Sequence, residues 1–343
     1  MEFKGQFWLP SNKEKHFSGS LVYKKNQWIE LDLQGSLAED GDNLLYESHE
    51  IIHGYSINGK QLTLVNCSGA PTSQHFPGLQ TSRYNIMTIF VGSHFDRLDD
   101  LTFKEIQFES DNLTEWATFP RFKIDLLNEQ DEASIRYKPP APIQFSLGDG
   151  IKGEIRTNHS VSGMGIHINE AFIKVRSTYW ISYGKDVHYD SLLELARVLL
   201  KFQSLATLEP TRVRNVKLKK STIFEERSGK IYYTPIQLYF LFNDLEARKI
   251  KSPLDYLFTA SKIDYGKYIE AWHRSHSVLG PVFDLLLNSM FNQYLNVENI
   301  FLNNAQALET FHRRTRSNSV LPKDQHKKRV DEICQQVPSQ FLP

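Results

Sequence analysis

The sequence lacks an excess of charge of either sign, which limits the partners that its overall electrostatics can attract. Lysine and arginine together number 40, aspartate and glutamate also number 40, and the formal net charge at pH 7 is +0. We therefore expect no general attraction to nucleic acid or to an anionic membrane. A net charge of zero still allows local basic patches. The clearest patch lies near the end of the chain, at Arg313, Arg314, Arg316, Lys323, Lys327, Lys328 and Arg329.

Cysteine and long apolar runs are also scarce. The 2 cysteines, Cys67 and Cys334, are too few for a disulfide scaffold, and they exclude a cysteine-based zinc site. No stretch reaches the roughly 18 apolar residues that indicate a membrane span, and the start of the chain has no apolar run of signal-peptide length. We therefore predict a cytoplasmic protein with no membrane span.

Aromatic residues and short alternating segments are present in quantity, and they indicate strands. The aromatic share of 12% is on the high side, and such residues favour pleated, half-buried surfaces. Residues 28–33 alternate apolar and acidic side chains, which is the period of a half-buried strand. Asn58 and Gly59 separate two apolar runs and predict a hairpin, because both residue types tolerate a positive φ. Similar runs continue to about residue 242.

Helical periodicity occurs at one place inside this β-rich region and again after about residue 262. Residues 191–205 carry a wide apolar face, with Asp190 as the expected N-cap. Four further helices are predicted at residues 265–275, 281–294, 297–314 and 322–335. The sequence thus predicts an α+β protein, in which a large, sandwich-like β-rich region with one inserted helix precedes a helical bundle.

The change of period also predicts the domain organisation. We expect a β-rich domain over residues 1–262 and a helical domain over residues 263–343, since 343 residues suffice for two domains. The first domain admits a further division into 1–120 and 121–262. A single large β-rich domain with a helical annex is the alternative.

The sequence contains partial matches to several catalytic and ligand-binding motifs, but none of them is complete. Residues 54–61 nearly fit a P-loop, but Gln61 stands where a Ser or Thr hydroxyl is required, and the segment lies in the predicted hairpin turn. His273 and His276 are three residues apart on a predicted helix, but no further metal ligands accompany them. Cys67 has no histidine at a telling spacing and is predicted to be a buried thiol. We therefore predict no metal site and no cofactor.

One predicted helix carries a different combination of side chains. Glu309, His312 and Arg313 are spaced i, i+3 and i+4, so an acid, an imidazole and a guanidinium are expected on one flank. Leu308 and Phe311 are then expected to face the core together. The same spacing also fits a solvated helix face with an ordinary Glu–Arg ion pair, and spacing alone leaves both interpretations open.

Two ordered sets of motifs resemble a known family. The first set comprises FWLP at 7–10, GSL at 19–21, IELDL at 29–33, IHG at 52–54, GKQLTL at 59–64, VGSHF at 91–95 and NLTEW at 112–116. It resembles the N-terminal domain of ApeA-like proteins. The second set comprises YY at 232–233, FL at 301–302 and QALETFHR at 306–313. It is similar to the entry to the C-terminal HEPN domain of that family, so the resemblance covers essentially the whole chain.

The resemblance implies bacterial antiphage defence by abortive infection, with the β-rich region as sensor or regulator. It also implies a HEPN domain, a commonly dimeric helical bundle that cleaves RNA without a metal. The usual signature of that domain is Arg, four to six residues, then His. The RNA 2′-hydroxyl would attack the adjacent phosphate while the His transfers a proton and the Arg stabilises phosphate charge. Glu309 then corresponds to the acid that orients this pair, with His312 and Arg313 in support.

The sequence departs from the family at that signature. No arginine of the chain has a histidine five to seven positions downstream, and in the family the motif falls on a helix beyond this sequence. We therefore expect the chain as given to carry an incomplete bundle and to be inactive as a ribonuclease. The alternative is a non-catalytic binding module, which recognises a phage or host trigger and dimerises through its helical segment.

Overall fold

A computed structural model describes most of the chain. It covers residues 1–24, 27–37, 46–73, 78, 80–117, 122–125, 134–161, 172–240, 252–292, 294–316 and 321–336. The chain divides into two compact units, Met1–Arg274 and Ser275–Pro343.

Strands dominate the first unit, and helices make up the second. The strands are β1 Glu2–Leu9, β2 Asn12–Val22, β3 Ile29–Gln34, β4 Glu47–Ser56, β5 Gln61–Ser73, β6 Thr81–Val91, β7 Thr102–Ser110, β8 Phe122–Asp125, β9 Ser134–Tyr137, β10 Ile143–Gly148, β11 Ile151–Val161, β12 Ile173–His188, β13 Val213–Lys219, β14 Phe224–Arg227, β15 Lys230–Tyr233 and β16 Ile236–Phe240. The helices are α1 Leu113–Ala117, α2 Tyr189–Thr207, α3 Tyr265–Phe291, α4 Val297–Thr315 and α5 Lys323–Gln336. Helix α3 begins in the first unit and continues in the second.

The first six strands close into a ring. Strand β1 pairs with β2 and β4, β3 pairs with β2 and β6, and β5 pairs with β4 and β6, all antiparallel. Each strand therefore has two neighbours within the set, which removes the free edges of an open sheet. The predicted alternation in β3 is confirmed, because Ile29, Leu31 and Leu33 are buried in the ring while the acidic residues between them are less buried.

The predicted Asn-Gly hairpin is confirmed as the connection between β4 and β5. Gly59 adopts a φ of +74°, and its N–H donates to the carbonyl oxygen of Ser56 at 2.8 Å. Glycine takes this left-handed conformation without the steric penalty of a Cβ. The near-match to a P-loop is therefore a hairpin turn between two strands.

The sheet continues beyond the ring and carries the inserted helix. Strand β6 also pairs with β16, and the sheet then runs through β13, β7, β12 and β11 to β10. Helix α2 lies against β7, β12 and β13 and buries Leu192 and Leu199 completely. The predicted N-cap at Asp190 is wrong by two residues, because His188 occupies that position and Asp190 falls in the first turn.

The α+β class is confirmed, whereas the sandwich-like detail is not. Two predicted helices, 265–275 and 281–294, form the single helix α3 with Pro281 inside it. A proline removes one backbone hydrogen bond from a helix interior. The turns beyond it are nevertheless anchored, because Val282 and Leu287 are buried. Helices α4 and α5 match the other two predicted segments to within a residue.

Candidate functional site

The predicted acid, imidazole and guanidinium lie on α4, a helix with well-formed ends. The side chain of Asn296 caps the helix and accepts from the N–H of Asn299 at 2.9 Å. The last turn carries His312, Arg313 and Arg314. The guanidinium groups of Arg313 and Arg314 there complement the partial negative charge at the carboxyl end of the helix.

The structure brings Glu309 and Arg313 into direct contact. Oε1 of Glu309 lies 3.2 Å from a guanidinium nitrogen of Arg313, and the two side chains are 63% and 76% exposed. An exposed i,i+4 pair of this kind contributes about 0.3–0.5 kcal/mol. His312 occupies the adjacent position on the helix, and its side chain is exposed. This geometry also matches that of a solvated helix face, so the catalytic roles of the three residues stay predictions.

The inward face of α4 differs from the predicted one. Leu308 and Phe311 were expected in the core, but they are 71% and 44% exposed. Ala307 is the buried residue of this helix, and Arg314 donates to the carbonyl oxygen of Val278 on α3. The helix therefore turns the side that carries Ala307 and Arg314 inward, which leaves the larger apolar side chains outside.

These exposed side chains form one stripe along α4. Val297, Phe301, Leu308 and Phe311 follow one another at spacings of four, seven and three residues, which places them on one face of a helix. Val297 and Phe301 are 79% and 69% exposed. Asn304 lies between Phe301 and Leu308 on this face, and the exposed apolar side chains on either side of it favour association with a partner. We call these four residues the α4 stripe.

The other candidate residues remain outside any catalytic arrangement. Cys67 is buried, as predicted, and burial raises the pKa of its thiol, which keeps it protonated. His273 and His276 both lie on α3. In the part of the chain that the structure describes, no three His, Cys, Asp or Glu side chains are arranged to hold a metal ion.

A cluster of aromatic and imidazole rings on the ring of strands was missed by the sequence reasoning. Trp8 is stacked on His16 with 4.5 Å between ring centroids, and the rings of Trp8 and His94 are nearly perpendicular with centroids 5.3 Å apart. His53 and His94 are themselves stacked at 4.6 Å. Three of these residues belong to the short motifs at 7–10, 52–54 and 91–95, so the signal was present, but nothing in the spacing showed that the motifs converge.

Backbone carbonyls fix the orientation of these imidazoles. Nε2 of His53 donates to the carbonyl oxygen of Phe95 at 2.9 Å, and Nε2 of His94 donates to that of Gly54 at 2.8 Å. A carbonyl can only accept, so each Nε2 carries the proton. Burial is the largest influence on the pKa of His53 and lowers it, while the Phe95 carbonyl opposes the shift. His53 is therefore neutral at neutral pH and pins the segment that follows β6.

Comparison with known proteins assigns both parts of the chain to described domains. Residues 2–272 match the family model of the ApeA N-terminal domain 1. Residues 302–342 match the model of the Apea-like HEPN domain, and this segment contains the Glu309 site. No curated protein and no solved structure matches the chain. No helix in the described ranges is long and apolar enough to cross a membrane.

Proposed function

This chain belongs to the ApeA family, a HEPN-containing antiphage defence family, and on that premise we propose that it acts in abortive infection. The observation that carries the proposal is the order of the two matches, because an ApeA N-terminal domain over residues 2–272 precedes an Apea-like HEPN segment. We infer that the β-rich region, residues 1–262, senses or regulates. The helical region, residues 263–343, supplies part of a metal-independent ribonuclease of the cytoplasm.

The Glu309 site is proposed as the supporting part of the ribonuclease centre. Glu309 is held by Arg313 on a regular helix, which suits an acid that orients neighbouring cationic groups. Arg313 would add positive charge for the RNA phosphate, and the His312 imidazole would add a hydrogen-bonding group beside it. The sequence has no Arg followed by His at the family spacing, so we expect no RNA cleavage by these 343 residues.

The sensor role is tested by capturing partners of the chain from infected and uninfected cells. We expect a phage-derived trigger to be retained only after infection. As a control, Arg176→Ala, a substitution of an exposed side chain on β12, should leave this capture unchanged. Identical partners from infected and uninfected cells would contradict the proposal.

A non-catalytic binding module is the second candidate, and the α4 stripe favours it. Four apolar side chains on one exposed helix face suit association between copies of the chain. Under this proposal the helical region forms a homodimer while the β-rich region binds its trigger. Light scattering should give twice the chain mass at micromolar concentration. A monomer at every concentration would contradict association through α4.

A further inference from the structure

The extended part of the sheet has a polar face that contains a cavity. The cavity measures about 580 Å³, which is within the range of small-molecule sites, and β7, β10, β11 and β12 line it. Side chains alternate between the two faces of each strand. Tyr179 of β12 is fully buried in the core, whereas its neighbour Trp180, on the opposite face of the strand, lines the cavity together with Ile181 and Ser182.

Trp180 lies at the centre of a cationic stack. The guanidinium carbon of Arg156 is 4.3 Å from the centroid of the Trp180 ring, and Nζ of Lys219 is 4.6 Å from it. Arg156 comes from β11 and Lys219 from β13, which lie on opposite sides of β12 in the sheet. Cations over an indole ring are attracted by its quadrupole, so the ring holds both side chains in place.

Two carboxylates fix these cations further. Glu154 contacts Arg156 at 2.5 Å, and Glu105 contacts Lys219 at 2.7 Å. The Arg156 side chain stays 43% exposed, so part of its planar guanidinium is accessible. An arginine that is already oriented loses little freedom when a ligand stacks on it, and such preorganisation favours binding. Nucleic-acid bases stack on guanidinium planes of this kind.

Further charged and hydrogen-bonding groups lie in and beside the cavity. The indole N–H of Trp180 is buried and meets no acceptor in the described part of the chain. Lys152 lines the cavity, is exposed, and has no ionic partner among the described residues. Gln144 and Ser146 add neutral donors and acceptors.

We propose that this cavity binds a nucleotide, with its base stacked on Arg156 above Trp180 and its phosphate paired with Lys152. The shared chemistry is a planar base joined to an anion, and it is offered either by a free mononucleotide or by one nucleotide of an RNA strand. Gln144 and Ser146 would contact the edge of the base. The site lies within the first unit, so binding there is independent of whether the helical unit cleaves RNA.

The test measures binding to the full 343-residue chain by calorimetry, with AMP, GMP, ribose 5-phosphate and a ten-nucleotide RNA as probes. We expect saturable binding of at least one mononucleotide or of the RNA. Ribose 5-phosphate should bind about tenfold more weakly than AMP, as expected from the loss of one stacked base. Binding of AMP assigns the ligand to the free nucleotide, and binding of the RNA alone assigns it to a strand.

Variants separate this site from any other on the chain. Arg156→Lys keeps the charge but loses the planar stacking surface, so affinity should fall about tenfold. Arg176→Ala is the matched control, because Arg176 is an exposed arginine of β12 that does not line the cavity, and it should bind as the wild type does. Circular dichroism confirms that both variants are folded. The proposal would be overturned by wild-type affinity in Arg156→Lys, by ribose 5-phosphate binding as tightly as the best-bound nucleotide probe, or by no binding of any probe at 1 mM.

Discussion

Replacing Phe301 by serine tests whether the α4 stripe is an interface between copies of the chain. Fully burying a phenylalanine side chain contributes about 1.5–3 kcal/mol. Phe301 is 69% exposed, so roughly 1–2 kcal/mol of this remains to be gained on association. A symmetric dimer contains the residue twice, which gives roughly 2–4 kcal/mol. At about 1.4 kcal/mol per tenfold change, Phe301→Ser should raise the dimer Kd by roughly 30-fold to 1,000-fold.

Sedimentation across a concentration series measures this change directly. Leu302→Ser is the matched control, because Leu302 is 51% exposed but points about 100° away from Phe301 around the helix. It should leave the Kd nearly unchanged. The reasoning fails if the two variants weaken the dimer equally, or if the wild type sediments as a monomer throughout.

Three further outcomes concern the first unit. Trp272 is buried, and its indole N–H donates to the carbonyl oxygen of Val198 at 3.0 Å. Trp272→Ala should therefore lower the free energy of unfolding, measured by urea denaturation, by about 3–5 kcal/mol. A loss no larger than that caused by Trp28→Ala, at an exposed tryptophan, would refute this. Burial lowers the pKa of His53 in the folded state below its value in the unfolded state. The folded state therefore keeps its full stability above pH 6.5, where His53 is neutral in both states. It loses stability as the pH falls from about 6.5 towards the folded pKa, because only the unfolded chain then binds the proton. The melting temperature of His53→Gln should accordingly fall less than that of the wild type between pH 7.5 and 5, and parallel curves would contradict it. A Cβ on Gly69 would lie 2.0 Å from the backbone oxygen of Arg83 on β6. Gly69→Ala should therefore destabilise the ring of strands by about 1–3 kcal/mol. A thermal melt identical to that of the wild type would contradict this close approach of β5 and β6.

Local elements of the fold were predictable where a short pattern decides the structure. The alternation of residues 28–33 gave β3, and the turn at Gly59 gave the β4–β5 hairpin, because both depend on neighbours in sequence. The closure of the ring was not predictable in this way. It depends on the pairing of β1 with β4 and of β5 with β6, and register between distant strands has no local signature.

Helix α3 is a case in which a local sequence signal gave the wrong boundary. Pro281 suggested a helix start, since proline is well accommodated in a first turn. In the structure the burial of Val282 and Leu287 continues the helix across it. Tertiary contacts of this kind override a local preference, and a single sequence does not display them.

The candidate sites also differ in whether residues close in sequence are enough to form them. Glu309 and Arg313 pair because they are one helical turn apart, which the sequence contains. Leu308 and Phe311 of the α4 stripe were wrongly predicted to lie in the core, because amphipathic spacing identifies a face of a helix but not what covers that face. Arg156 reaches Trp180 from the neighbouring strand β11, but Lys219 of β13 reaches it across β7, which precedes both strands in sequence. The strand order of the sheet was therefore needed to find this stack.

The proposal that these residues support a ribonuclease centre without supplying its Arg–His pair is tested most directly by RNA cleavage. The purified 343-residue chain is incubated with total bacterial RNA without added metal, and fragment lengths are compared with those from Glu309→Ala. We expect intact RNA in both samples, because the sequence contains no Arg–His signature. Cleavage by the wild-type chain that disappears in Glu309→Ala would contradict this and would place a complete catalytic centre on the chain.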